Sequence, residues 1–274
     1  MPQPDAGARG RTPSVSTART AWRDGEAVAG LREIPEETAV ALVHDASTTA
    51  VMMATPADLE DFVVGFSLTE AIVADVDQIR SVEVVETPLG IEARAWLAAP
   101  ASAALTSGRR RLLGPTGCGL CGVDSLAEAL KPPRRVAEGF RLRAQEIFQA
   151  LESVSGAQAL GAATRAVHAA AWWTPQDGLV AIREDVGRHN ALDKVVGALA
   201  RTGIAASDGA VVLTSRVSVE MVQKAAALGA QVLIAVSAPT ALAVRTAEAA
   251  GLTLVAVARK DGFEVFTGAE RIVA

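Results

Sequence analysis

The chain has 274 residues, half of them hydrophobic, with 26 basic against 31 acidic side chains and a net charge of −5. That length and apolar content suit two ordinary domains or one large one, and the absence of a basic block excludes nucleic acid as a main partner. Two cysteines are too few for a secreted disulfide framework. The first residues lack the apolar core of a secretory signal, and the most apolar run, residues 225–244, is broken by Gly229, Gln231, Ser237 and Pro239. The expectation is a cytoplasmic protein with no membrane span.

Residues 1–20, rich in Arg, Ser, Thr, Pro and Gly, read as a disordered tail. Residues 21–135 read as a smaller α+β domain. Its first strands are expected in VAGLREI, TAVALVHD and TTAVMMA. A helix follows, with Thr55-Pro56 at its start and acids at Asp58, Glu60 and Asp61. Strands are expected again at 80–86 and 90–98. A Gly-rich, basic loop, 108–124, holds Cys118 and Cys121, and a short helix from Asp124-Ser125 ends before Pro132-Pro133.

Residues 136–274 alternate in type. RLRAQEIFQALESV has helical spacing, GLVAIRED is a strand, and HNALDKVVGALARTG is a helix closed by Gly203. VVLTSR, QVLIAVSA and LTLVAVAR are short apolar strands separated by the helices SVEMVQKAAALG and TALAVRTAEAAG, and FEVFTG is a last strand. Near-continuous apolar strands with helical crossovers belong to a parallel sheet covered on both faces.

Chemistry concentrates in a few segments. In TGCGLCG the glycines leave Cys118 and Cys121 open to a partner, and Arg109, Arg110 and Arg111 upstream favour the thiolate. A thiolate attacks the terminal sulfur of a donor persulfide and becomes a persulfide itself, and a second thiol three residues on can hold or release that sulfur. Half of a structural zinc site is the bland alternative, but such a site is normally closed by four ligands. A dithiol oxidoreductase is another, although the pair lies in a long Gly-rich loop rather than at a strand–helix junction.

IREDVGRHNALDKVVG places Arg183, Asp185, Gly187, Arg188, His189 and Asn190 at a strand end where a helix begins, the place open α/β sheets bind ligands and helix ends attract phosphate. An ordinary solvated charge run is the competing reading. Thr214, Ser215, Arg216 and Ser218 stand before a helix with Glu220 in its first turn, a cradle for an anion or a plain N-cap. There is no G-x-G-x-x-G and no P-loop. His168 lies in an apolar run, where a lone His is usually a core or supporting residue. The zinc deaminase pattern fails there, because the residue two beyond is Ala170 and the cysteines come first.

Taken together, ATPADLEDFVVGFSLTEAIV, GCGLCG, AVHAAAW, REDVGRHNALDKVVG, LTSRVSVEMVQKA and LVAVARKDGFEVFTG resemble the FdhD family of formate dehydrogenase accessory sulfurtransferases, over nearly everything after the tail. The resemblance implies a cytidine-deaminase-like C-terminal α/β domain without the zinc site, no metal ligands of its own, and a homodimer. It implies sulfur accepted from a cysteine desulfurase on Cys118, with Cys121 as its partner. The acceptor is a molybdenum bis(molybdopterin guanine dinucleotide) cofactor destined for the formate dehydrogenase catalytic subunit, so that guanine nucleotides such as GDP are candidate ligands. The resemblance places Val257, Ala258, Arg259, Lys260, Asp261 and Gly262 in the cofactor-binding stretch, with Lys260 and Gly262 atypical, and His168 is counted with the site. Where the family often has Glu-Gly, this chain has Glu70-Ala71. A non-catalytic cofactor chaperone is the main alternative.

Overall fold

A computed structural model describes residues 11–99, 101–102 and 132–274. The chain opens with a hairpin, β1 (Ser14–Arg23) and β2 (Glu26–Pro35), which pair only with each other. Asp24 and Gly25 both have positive φ, 52° and 84°, as a two-residue turn matching strand twist requires. This corrects the tail expected over 1–20, since residues 14–20 are strand; residues 1–10 lie outside the described residues. SVSTARTAWR has too few large apolar groups to look like a buried strand, but its hydroxyl and β-branched residues suit an exposed one.

β3 (Thr38–His44), β4 (Ser47–Ala54), β5 (Ile79–Thr87) and β6 (Gly90–Leu97) form a sheet in the order β4-β3-β6-β5, with β3 and β6 parallel. Helix α1 (Leu59–Thr69) covers it, burying Phe62, Val63 and Phe66 among Val40, Leu42, Ala93, Ala95 and Leu97. The helix starts later than Thr55-Pro56 suggests. Asp58 is left-handed at φ 54°, and Thr55 is bound elsewhere, as shown below. The helix expected from Asp124 lies outside the described residues.

The second half runs β7 (Leu142–Arg143), α2 (Ala144–Ala157), α3 (Ala159–Thr164), β8 (His168–Thr174), β9 (Gly178–Asp185), α4 (Arg188–Thr202), β10 (Ala210–Leu213), α5 (Val219–Leu228), β11 (Val232–Ala235), α6 (Ala241–Ala250), β12 (Thr253–Arg259), β13 (Gly262–Thr267) and β14 (Ile272–Val273). Six strands make one sheet, ordered β13-β12-β11-β10-β8-β9. Only its centre, β10, β11 and β12, is parallel; β8, β9 and β13 are antiparallel additions. Expected as parallel, the sheet is therefore mixed, because hairpins rather than crossover helices supply its flanks. Successive strand residues face opposite layers. Val211 and Leu213 pack with α4, α5 and α6, while Ala210 and Val212 pack with α2.

The two sheets are joined through α1 and α4. A Cβ on Gly65 would lie 1.7 Å from the Asp193 carbonyl oxygen, and one on Gly197 would lie 1.9 Å from that of Asp61. Backbone therefore meets backbone, and only glycine fits. No helix among the described residues is long and apolar enough to cross a membrane.

Candidate functional site

The registers bring the predicted segments to one edge of the six-stranded sheet. His168 pairs with Asp185, Leu213 with Ala170, and Leu213 with Ala235, while the Val257 amide donates to the Ser237 carbonyl oxygen at 3.2 Å. The carboxyl ends of β9, β10, β11 and β12 thus lie beside the start of β8 and the N-termini of α4, α5 and α6. This is the edge where α/β sheets bind ligands.

The REDVGRHNALDK block divides into two roles. Asp185 is fully buried and accepts from Thr55 N at 3.0 Å, Gly187 N at 2.7 Å, Asn190 Nδ2 at 2.9 Å and Lys194 Nζ at 2.6 Å. Lys194, also fully buried, donates to the Thr55 carbonyl oxygen as well, and Asn190 donates to that of Met53. Four donors on one carboxylate make a buried ion pair tolerable. A Cβ on Gly187 would come within 2.6 Å of Asn190 Nδ2. Asp185, Gly187 and Asn190, read from sequence as ligand contacts, are here occupied in fastening the first sheet to the second. Arg183 is occupied in the same way, donating to Asp61 through Nε at 2.9 Å and Nη2 at 2.7 Å.

Arg188 and His189 stand at the start of α4, whose N-cap, Gly187, offers no side-chain bond to the first amides. They converge with Arg216 on the half-buried His168. Burial, then Arg188, then His189 and Arg216 lower the His168 pKa, against a smaller opposing pull from Asp185. Its imidazole is held toward the neutral form in a positive setting.

His189 Nε2 lies 3.9 Å from Glu220 Oε2 in the first turn of α5, an electrostatic contact too long for a direct hydrogen bond. Burial alone would raise the Glu220 pKa, but His189 and Ser218 outweigh it and hold the carboxyl low. His189 Nε2, Glu220 Oε2 and Ser218 Oγ are all buried without a hydrogen-bond partner, unusual for buried polar atoms. Glu220 is the residue the sequence reading passed over as a site member; its first-turn position beside Ser218 was the available signal.

The other predicted residues are placed as follows. Thr214 extends the β8–β10 ladder, its amide donating to the Ala169 carbonyl oxygen and its hydroxyl accepting from Ala169 N at 2.9 Å. Ser215 is buried and donates to the Arg216 carbonyl oxygen, while Arg216 is exposed. Ser218 caps α5 by backbone conformation without a side-chain bond. Val257 is left-handed at φ 51° within an irregular stretch of β12, an uncommon conformation for a β-branched residue. Ala258 is buried, Arg259, Lys260 and Asp261 are exposed at the β12–β13 turn, and Gly262 opens β13. Cys118, Cys121 and the arginines at 109–111 lie outside the described residues. A cleft of about 390 Å³ near the start of α1, lined by Asp58, Glu60, Glu86 and Arg201, includes none of these predicted residues.

Fold and site together define a mixed α/β protein with a cationic sheet edge fed by several helix N-termini. The chain belongs to the FdhD/NarQ family, whose model matches residues 35–273. It is 50% identical over 257 residues to the sulfur carrier protein FdhD of Agrobacterium fabrum, covering 93% of this chain and 95% of the relative. The sulfur carrier protein FdhD of Cupriavidus necator is 45% identical over 270 residues, 98% of this chain and 94% of that one. The crystal structure of a proposed formate dehydrogenase accessory protein from Desulfotalea psychrophila superposes with a TM-score of 0.73 at 26% identity, covering 95% of this chain and 99% of that one. The mixed α/β architecture matches that structure.

Proposed function

We propose that this chain is a sulfur carrier. Cys118 takes sulfur as a persulfide from a cysteine desulfurase and passes it to a molybdenum bis(molybdopterin guanine dinucleotide) substrate, which makes formate dehydrogenase active. The structural observation that carries the reading is the sheet edge, where Arg188 and Arg216 stand with the N-termini of α4 and α5 around His168. A ligand with several phosphates suits that setting, because the N-terminal amides of helices and guanidinium groups both favour anions. The near-full-length likeness to relatives named sulfur carriers supports the chemistry.

The transfer balances without an outside oxidant. The Cys118 thiolate attacks the terminal sulfur of the donor persulfide, the donor S–S bond breaks, and the desulfurase thiolate leaves. Release as sulfide needs two electrons. Attack of Cys121 on the Cys118 sulfur supplies them, forms the Cys118–Cys121 disulfide and frees sulfide, and a cellular dithiol then reduces the disulfide. Arg259 and Lys260 add positive charge beside the edge, and His168, His189 and Ser218 serve as polar contacts. The chain works as a homodimer in the cytoplasm.

The test is to incubate the protein with an active desulfurase and cysteine, then map added sulfur by mass. One extra sulfur on the 118–121 peptide, lost in Cys118→Ala, is expected. Cys121→Ala should load but release sulfide only with added dithiothreitol. An unmodified loop would replace this reading by a cofactor chaperone that uses the sheet edge alone.

A further inference from the structure

Helices α4 and α5 are bridged by two rungs of titratable side chains. His189 and Asp193 lie one turn apart on α4, and Glu220 and Lys224 one turn apart on α5. The inner rung is closed, with Lys224 Nζ 2.9 Å from Asp193 Oδ1 and 3.0 Å from Oδ2. The outer rung, at the sheet edge, is open. His189 Nε2 and Glu220 Oε2 stop 3.9 Å apart, both enclosed and neither hydrogen-bonded, on side chains no more than 8% exposed. Buried polar atoms are normally paired, so this rung is built for a state in which it closes. Of the two ring nitrogens only Nε2 is enclosed without a partner, which leaves Nδ1 for a ligand. The nearest amides also suit one. Gly187 leaves the first turn of α4 without a side-chain cap, whereas at α6 Thr240 Oγ1 accepts from Ala243 N at 3.2 Å.

We propose that Glu220 positions His189 to take up a proton when a phosphate-bearing ligand binds at this edge, Nδ1 donating to the phosphate while Nε2 closes on Glu220. A carboxylate has the wrong charge to touch a phosphate, so in an anion site Glu220 acts through the imidazole. The surrounding charges favour this linkage. Arg188 beside His189 and Arg216 before α5 oppose a further positive charge, and His168 on β8 is held toward neutral. Asp185 on β9 is paired with Lys194, and Asp193 with Lys224 one turn inward. An arriving phosphate reverses the balance at the outer rung. The proton comes from solvent and no covalent bond changes.

The inference rests on the sheet edge as the anion site of the proposed function and on none of its sulfur chemistry. Calorimetric titration with GDP at pH 7.5, in HEPES and in Tris, tests it, because the difference in heat counts protons. An ordinary imidazole is about nine-tenths neutral at that pH, so the parent should gain about half a proton or more per GDP. His189→Gln and Glu220→Gln should each reduce that gain to about a tenth of a proton or less, with circular dichroism confirming that the variants fold. A parent that binds GDP without proton uptake would overturn the inference, whether or not the variants fold. Uptake that survives in both variants, or is lost only in His168→Gln, would overturn it too. A parent that does not bind GDP would remove the anion site itself, and with it the edge as cofactor site, while leaving sulfur loading on Cys118 to be judged separately.

Discussion

His44 shows how much a single buried side chain can set. Its Nδ1 lies 2.8 Å from Thr49 Oγ1 and its Nε2 lies 2.8 Å from Ser67 Oγ, and the Ser67 hydroxyl donates to the Val63 carbonyl oxygen. Ser67 therefore accepts from Nε2–H, and Nδ1 accepts from Thr49. Burial lowers the His44 pKa to about 4, with Asp45 pulling weakly the other way. The unfolded chain takes up a proton near pH 6.5 that the folded chain refuses. His44 thus contributes stability above that pH and loses it as pH falls toward 4, by up to about 3 kcal/mol. Urea unfolding at pH 7 and pH 5 should show this drop, and His44→Gln should reduce it. At the sheet edge, Arg216→Ala should raise the His168 pKa, since Arg216 is one of the cations that lower it; proton NMR reads the shift directly. An unchanged titration would separate Arg216 from the site. The sequence made the dense block 183–194 legible as important but not its division of labour. Asp185 and Arg188 look alike as charges on paper, and only the position of Thr55 and Lys194 turns one inward to a junction.

Among the elements, the ones read most accurately are those whose pattern is local. α4 ends at Gly203, left-handed at φ 69°, where the sequence puts it. The α1 start was misplaced because Thr55 and Pro56 make a plausible cap locally, while Thr55 is claimed by residues more than a hundred positions away. The end of α1 carries a legible departure. Ala71, where the resemblance leads one to expect glycine, is left-handed at φ 54°. A methyl-bearing residue there costs about 1–2 kcal/mol, partly offset by the greater chain entropy of glycine. Ala71→Gly should therefore stabilise the protein by about 0.5–1 kcal/mol in urea unfolding. A loss of stability would mean that the Ala71 methyl makes contacts worth more than the strain. The hairpin was missed for a related reason: its D-G turn is a strong local signal, but its strands lack a core to be recognised by.

For the whole molecule, the change of pattern near residue 135 leads to an expectation of two domains, whereas the way the two sheets hold each other is not legible in the sequence. Their contact depends on Gly65 and Gly197, which in sequence read only as weak spots in two helices. Around that crossing lie buried charges: Thr69 and Lys224 both bond Asp193, Lys224 also bonds Glu70, and Asp61 takes Arg183 and Arg201. Asp193 is pushed up by burial, against the pull of Lys224, and the Lys224 pKa is raised because Asp193 and Glu70 outweigh its burial. α1 supplies the core of the first sheet and the lid of α4 together, so neither sheet can lose it independently. Unfolding should then be one transition, with tryptophan fluorescence and circular dichroism coinciding. Gly197→Ala puts a methyl where the Asp61 carbonyl oxygen stands. The helices must separate, which should cost about 1–3 kcal/mol for the overpacking alone, and more if the buried ion pairs stretch with it. A variant that melts like the parent would mean that the two halves are not held by this crossing, and the single transition would then need another cause.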